Sequence, residues 1–267
     1  MALGWKDFST TSFNALLLLE RVQISWLPAG NVPVDALAAA LHGNPAVLWF
    51  LQHKCPEISP WLDELLAKHP GPETPAALRV AEVQVLQALE DWLIYVLEPE
   101  CYDRQPFTRW DSAELLGMAD FTGKTVIDVG AGTGRLALTI APLARLVYAV
   151  EPVTNLRDYL RTRAAELGLK HVHAVDGLIT ALPFPDGFAD ITMGGHVFGD
   201  ELAAEWQELT RVTCPGGSIL LCPGNSNRDN AVHRFLVAQG CQWAAFDEPT
   251  DGMKRKYWCR LPDRIER

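Results

Sequence analysis

The 267-residue sequence has six cysteines, Cys55, Cys101, Cys214, Cys222, Cys241 and Cys259, and no C-x-x-C pair among them. That spacing speaks against a structural zinc site, and no metal is expected. In a chain of this size the six read as reduced thiols in a reducing compartment. Long apolar runs are also missing. Near the N-terminus Leu16–Leu19 is four residues long and ends at Glu20, too short for a signal core or a membrane span. The cytoplasm is the default compartment, and no membrane partner is expected. Positive charge is scarce: 23 Lys and Arg stand against 33 Asp and Glu, for a formal charge of −10. Such a surface repels phosphate backbones, which argues against nucleic acid as a partner. There is no internal repeat and no low-complexity stretch.

A chain of this length can bury roughly 70–75% of its unfolded surface, so it needs no staple. Residues 1–110 read as helical. Asn31 with Pro33, Asn44-Pro45, Ser59-Pro60 and Thr74-Pro75 each open an apolar-periodic run, the last reaching about Leu97. Proline at the first helical position wastes no donor. After an irregular connector, Glu98–Pro106, Asp111-Ser-Ala-Glu114 has the spacing of a capping box. From residue 111 to 267, strand and helix patterns alternate, the mark of a parallel α/β sheet. Strands are expected near 124–129, 146–150, 171–175, 189–193, 218–222, 242–246 and 256–261. The last two leave no room for a helix between them and predict an antiparallel hairpin at the sheet edge. The fold class is α/β: a doubly wound, seven-stranded, mostly parallel sheet preceded by an all-helical region.

The stretch that organises the chain is Thr125-Val-Ile-Asp-Val-Gly-Ala-Gly-Thr-Gly-Arg-Leu136. A buried strand runs into three glycines and at once into a helical pattern. Asp128 sits inside the strand, where a lone carboxylate is costly. Glycines let a backbone approach a ligand, and the following helix N-terminus presents N–H groups. The spacing Gly130-x-Gly132-x-Gly134 is one residue shorter at its last step than a dinucleotide fingerprint. Glu151 ends the second strand, 23 residues after Asp128, where an acid can accept both hydroxyl protons of a ribose.

This D-x-G-x-G-x-G run resembles motif I of the class I S-adenosylmethionine-dependent methyltransferases. Leu182-Pro-Phe-Pro-Asp-Gly-Phe-Ala-Asp190 and Arg211-Val-Thr-Cys-Pro-Gly-Gly-Ser-Ile-Leu220 resemble two further segments of that family, in the right order. The resemblance implies a Rossmann-like sheet and S-adenosyl-L-methionine as cofactor, with S-adenosyl-L-homocysteine as product. It implies cofactor contacts at Asp128, Gly130, Ala131, Gly132, Gly134 and Glu151. It also assigns Asp176, with Gly177 and Leu178 beside it, to the adenine. The reaction would be in-line displacement onto an oxygen, nitrogen, sulfur or carbon acceptor, with alignment supplying roughly 7–11 kcal/mol of the barrier.

The acceptor is not named by the sequence; a small molecule is expected. His196, just after strand four, reads either as a general base or as a histidine packed in a loop. Asp200 reads as a helix N-cap. The Asn/Asp-Pro-Pro-Tyr run of enzymes that methylate base or amide nitrogens is absent. Asn225 lies in a polar loop, and Tyr102 and Trp110 lie in the aromatic connector; each reads as a substrate contact or as packing. The N-terminal helices read as a lid or as a homodimer surface. Two rivals stay open: a nicotinamide-dependent dehydrogenase and a non-catalytic interaction module.

Overall fold

Pro45, Pro60 and Pro75 each fall in the first turn of a helix, where a missing N–H leaves nothing unsatisfied. The computed structural model describes residues 4–30, 32–250 and 252–263, in two compact units, Met1–Tyr102 and Asp103–Arg267. The first holds α1 (Arg21–Ser25), α2 (Val34–Gly43), α3 (Pro45–Lys54), α4 (Ser59–Lys68), α5 (Pro75–Ala88) and α6 (Glu90–Leu97), with α7 (Pro99–Asp103) at its end. Asn31, read as an opener of α2, lies outside the described residues. Thr74 caps α5 by accepting the Ala77 N–H. The single helix expected from Thr74 to Leu97 instead breaks at Leu89. The break delivers buried Glu90 to the N–H groups of Gly4 and Lys6, at 2.9 and 2.7 Å. Charge-assisted bonds of this kind outweigh one lost helical turn. Phe8, Leu16, Leu37, Leu41, Leu51, Leu62 and Leu86 form a fully buried core.

In the second unit the all-buried strand β1 (Thr125–Val129) lies between parallel β2 (Leu146–Val150) and β4 (Ala189–Gly194). With β3 (Val172–Val175), β5 (Thr213–Ser226), β6 (Gln242–Glu248) and β7 (Gly252–Arg260), the sheet order is β3-β2-β1-β4-β5-β7-β6. Only β7 is reversed. The expected hairpin is present, with β7 on its inner side and β6 at the edge. Strands β1 to β4 run in one direction, so their carboxyl ends share one edge of the sheet, where such folds bind ligands. α8 (Ala113–Leu116) precedes β1, and the crossovers carry α9 (Arg135–Ile140), α10 (Thr154–Glu166), α11 (Leu202–Val212) and α12 (Ala231–Ala238). One core under the sheet includes Trp110, Leu115, Val126, Ile140, Met193 and Phe246; the other includes Ile127, Val150, Leu182, Leu209 and Ile219. Among the described residues, no single helix is long and apolar enough to cross a membrane.

Three local readings are corrected. The capping box at residues 111–114 does not form: Asp111 accepts the Ala113 N–H, while Glu114 pairs with Lys256 at 2.7 Å. Asp200 does not cap α11. Buried Glu205, one turn inside the helix, accepts the N–H groups of Gly199, Asp200 and Glu201 at 2.8, 3.1 and 2.8 Å. A carboxylate reaching back from within satisfies more orphan donors than one cap can.

The cysteines are not all thiols, because Cys241 and Cys259 form a disulfide. The hairpin register pairs Gln242 with Trp258, so the next positions out face each other, with Cα atoms 4.5 Å apart. Cysteine usage therefore no longer argues for a reducing compartment. Burial pushes the Cys222 thiol up to about 12, which keeps it protonated.

Removing the Glu205 carboxylate should leave three backbone donors at the start of α11 without a partner. Glu205→Ala is expected to cost about 2–4 kcal/mol, read as a lower midpoint in urea unfolding. A loss below about 0.5 kcal/mol would contradict this account.

Candidate functional site

The loop between β1 and α9 is left-handed at Gly130, Gly132 and Gly134, with φ of 63°, 54° and 91°. The three glycines have different neighbours. A Cβ on Gly130 would lie 2.5 Å from Val197 Cγ2, and one on Gly134 2.9 Å from Leu160 Cγ. Those two are small because protein packs against them. A Cβ on Gly132 would meet nothing within 4 Å. Gly132 alone turns a bare backbone toward open space, as a cradle for a ligand requires. Ala131 is buried and donates its N–H to Val150 O at 2.9 Å; Gly134 donates to Ala131 O at 2.8 Å. The Thr133 hydroxyl is buried and has no hydrogen-bond partner among the described residues.

Glu151 stands beside this tip and is 6% exposed. Its Oε2 accepts the Gly132 N–H and its Oε1 the Val153 N–H, both at 2.9 Å. A carboxylate offers about four acceptor directions, so about half remain open to hydroxyl donors. Burial raises its pKa, against the pull of the Val153 and Gly132 N–H groups. Arg157 donates to Glu151 O at 2.6 Å and to Asp176 Oδ1 at 2.9 Å, tying the ends of β2 and β3 together. Asp176 is itself largely exposed, as is Leu178. Gly177 is packed tightly, since a Cβ there would lie 2.9 Å from both Pro183 and Val150.

Asp128 does not reach the open side. It is 1% exposed, and its Oδ2 accepts the Ala137 N–H at 2.9 Å, pinning α9 to β1. Burial pushes its carboxyl up to about 8, with the nearby Glu151 carboxylate adding to the shift. Phe188 stacks on Phe184, 4.9 Å between centroids, and Asp190 accepts the Thr125 N–H at 2.8 Å; both serve the core.

His196 follows β4 by two residues, with φ of 56°. Its N–H donates to Pro223 O at 2.9 Å, and its Nε2 lies 3.1 Å from Oε1 of buried Glu248. Neither Glu248 nor its neighbour Lys254 was singled out from the sequence. An acid closing a strand at the ligand edge was the available signal, but that strand was read as ending at Phe246.

The three residues read as substrate contacts or packing each have protein neighbours. Trp110 is core, 4% exposed, edge-on to Phe246 at 5.7 Å and under the Arg135 guanidinium at 4.8 Å. Arg135 also donates to the carbonyls of Thr108 and Trp110, clamping the connector to α9. Asn225 exchanges amide hydrogen bonds with Asn230, the cap of α12, and so closes its own loop. Tyr102 ends the first unit, edge-on to Trp5 and Tyr95. Among the described residues no three His, Cys, Asp or Glu side chains are grouped to hold a metal.

The strand order and the glycine turn are those of the S-adenosylmethionine-dependent methyltransferase fold. A crystal structure of such an enzyme from Aquifex aeolicus is similar to this chain at a TM-score of 0.50 and 19% identity, covering 61% of this chain and 97% of that one. Residues 127–221 match the family model described as a methyltransferase domain. An uncharacterized methyltransferase, YcgJ of Bacillus subtilis (strain 168), is 30% identical over 114 residues, 42% of this chain and 45% of that protein. The chain thus matches under half the length of that relative. An uncharacterized methyltransferase of Geobacillus kaustophilus (strain HTA426) is 26% identical over 189 residues, 67% of this chain and 83% of that protein.

Two outcomes follow from the geometry. Gly132→Ala should cost the fold only the strain of a left-handed alanine, about 1–2 kcal/mol, yet abolish the rise in melting temperature expected on adding S-adenosylhomocysteine. Gly134→Ala should destabilise more, through Leu160. If Gly132→Ala keeps the full rise, the open tip is not the ligand cradle.

For Asp128, the folded state holds a proton that the unfolded chain releases near pH 4. The stability this gives is complete below about pH 4 and is lost as pH climbs toward about 8. Asp128→Asn, neutral throughout, should gain on the wild type in urea unfolding between about pH 5 and 8, with a constant difference above. Parallel pH profiles would contradict the buried-proton account.

Proposed function

We propose that this chain transfers a methyl group from S-adenosylmethionine to a small-molecule acceptor. The observation that carries the reading is the pairing of Gly132, bare toward open space, with a buried Glu151 carboxylate that keeps acceptor capacity. Together they fit a nucleoside: the glycine lets the chain of the ligand pass close, and Glu151 accepts two ribose hydroxyls. Gly130, Ala131 and Gly134 shape the loop, while Asp128 fixes α9 behind it. Asp176, Gly177 and Leu178 flank the place for the base. The sulfonium cofactor, when bound, supplies an electrophilic methyl carbon. The protein's part is then to hold acceptor and methyl in line and to exclude water. His196, at the end of β4 and in the loop whose next residue, Val197, packs on Gly130, is the residue we assign to proton removal.

Calorimetric titration with S-adenosylmethionine, S-adenosylhomocysteine and NAD tests the assignment. Binding of the first two is expected; binding of NAD alone would overturn it. The Glu151 carboxylate adds a pH signature. Hydroxyl donors favour its ionised form, and its pKa in the free protein is raised. Affinity for S-adenosylhomocysteine should therefore weaken as pH falls into the range, above the usual carboxylate value, where Glu151 takes a proton. Glu151→Gln should bind about tenfold or more weakly and lose this slope. An unchanged slope would remove Glu151 from the site.

A further inference from the structure

Glu248 closes β6 at the carboxyl end, where its carboxylate is nearly inaccessible to solvent, at 1% exposure. Burying a carboxylate without full compensation is costly. Its Oε1 faces His196 Nε2 at 3.1 Å. Its Oε2 lies 3.3 Å from Lys254 Nζ, close enough for an ion pair but not along a hydrogen-bond direction. Among the described residues no backbone N–H caps either oxygen. The carboxylate is thus aimed at one imidazole, with an ammonium behind it.

The histidine is held in two further ways. Its backbone is left-handed, a conformation that a non-glycine residue keeps only where the surroundings impose it. Its N–H is fixed to Pro223 O. The side chain is 43% exposed, and its Nδ1 has no partner among the described residues. Lys254 on β7 faces Glu248, and the Cys222 thiol on β5 feels Lys256, Glu114, Arg135 and Glu248. Among the described residues, the His196 ring hydrogen-bonds to Glu248 and to none of the others.

We propose that Glu248 is a positioning residue that holds His196 as the Nε2–H tautomer and leaves Nδ1 as the proton acceptor at the carboxyl edge of the sheet. This rests on the methyl-transfer reading of the same site. A buried carboxylate can only accept, so the neutral ring must place its single proton on Nε2. A base so fixed serves an acceptor that has a proton to lose, a hydroxyl or a thiol. The acceptor oxygen or sulfur forms its bond to the methyl carbon. The carbon–sulfonium bond breaks with its electron pair passing to sulfur. The acceptor's proton goes to His196 Nδ1 and then to water, and the Glu248 carboxylate stabilises the transient imidazolium. Carbon–sulfur cleavage and proton loss balance, and no other reactant is needed.

Long-range proton–nitrogen NMR on protein labelled with nitrogen-15 in its histidines reads the tautomer directly, without substrate. His196→Gln assigns the signals. At about pH 9, where an ordinary imidazole is neutral, the wild type should hold His196 in the Nε2–H form by roughly tenfold or more, the scale of a hydrogen bond to a charged group. In Glu248→Gln, whose amide can donate as well as accept, both tautomers should appear, while affinity for S-adenosylhomocysteine stays unchanged. A wild-type ring in the Nδ1–H form, or a tautomer ratio that Glu248→Gln leaves alone, overturns the proposal. Should Glu248→Gln fail to fold, the wild-type spectrum decides, and Lys254→Met, which keeps Glu248, should retain the Nε2–H form. If neither S-adenosylmethionine nor S-adenosylhomocysteine binds the wild type, the methyl-transfer reading fails while the tautomer result stands on its own.

Discussion

The hydrogen bond from the Gly132 N–H to the buried Glu151 carboxylate is the contact on which the ligand edge depends. It joins the tip of the first crossover loop to the end of the second strand. The same carboxylate holds the Val153 N–H, and Arg157 ties the Glu151 carbonyl to Asp176 on the next strand. Three strand ends are thereby fixed by one acid and one guanidinium. A carboxylate buried this far costs free energy, as its raised pKa records. The cost is tolerable because two backbone donors meet the charge, and it creates a polar point inside an apolar edge. Rigid presentation of that point is what a nucleoside site needs.

The glycine repeat divides the remaining work. Gly130 and Gly134 are small so that Val197 and Leu160 can close on the loop from either side. Packing at those two positions holds the backbone in its left-handed turns and leaves Gly132 standing clear. A loop in which all three glycines faced the ligand would lack this support. Asp128 completes the arrangement from behind, because its Ala137 contact fixes the start of α9 against β1. Its proton is retained to about pH 8, which spares the sheet a second full charge close to Glu151.

Much of this was legible in the sequence. All seven strands overlap the apolar runs that mark them, although β5 starts five residues early, through Pro215-Gly-Gly217, and β6 runs on to Glu248; proline-marked helix starts in the first unit fall within a residue or so. Such signals are local, and the structure follows them. What the sequence hid depends on contacts distant along the chain. The break at Leu89 answers to Glu90 meeting Gly4 and Lys6. The disulfide answers to the hairpin register rather than to cysteine spacing. Trp110 read as a substrate contact or as packing because aromatics crowd the connector, and Arg135 and Phe246, distant along the chain, enclose it. The glycine repeat, Glu151 and His196 were readable as candidates because each sits at a strand end. Glu248 was equally placed, but it lies 52 residues from His196 and no local pattern links the two.

Two buried acids at this edge separate structural from functional burial. Glu205 and Glu248 are equally inaccessible, each at 1% exposure. Glu205 takes three backbone N–H bonds at the start of α11, so its charge is met by the fold itself. Among the described residues Glu248 has a half-exposed imidazole and an ammonium lying off its hydrogen-bond direction. A carboxylate that served stability alone would be more cheaply replaced by an apolar side chain, since a buried ion pair gains little over such a replacement. Backbone donors cannot be substituted away, so they explain Glu205 completely. A histidine can be substituted, so stability does not explain why Glu248 keeps one. What the Glu248–His196 contact supplies that an apolar pair would not is a fixed ring with a defined proton, and that property has a use only where a proton is moved.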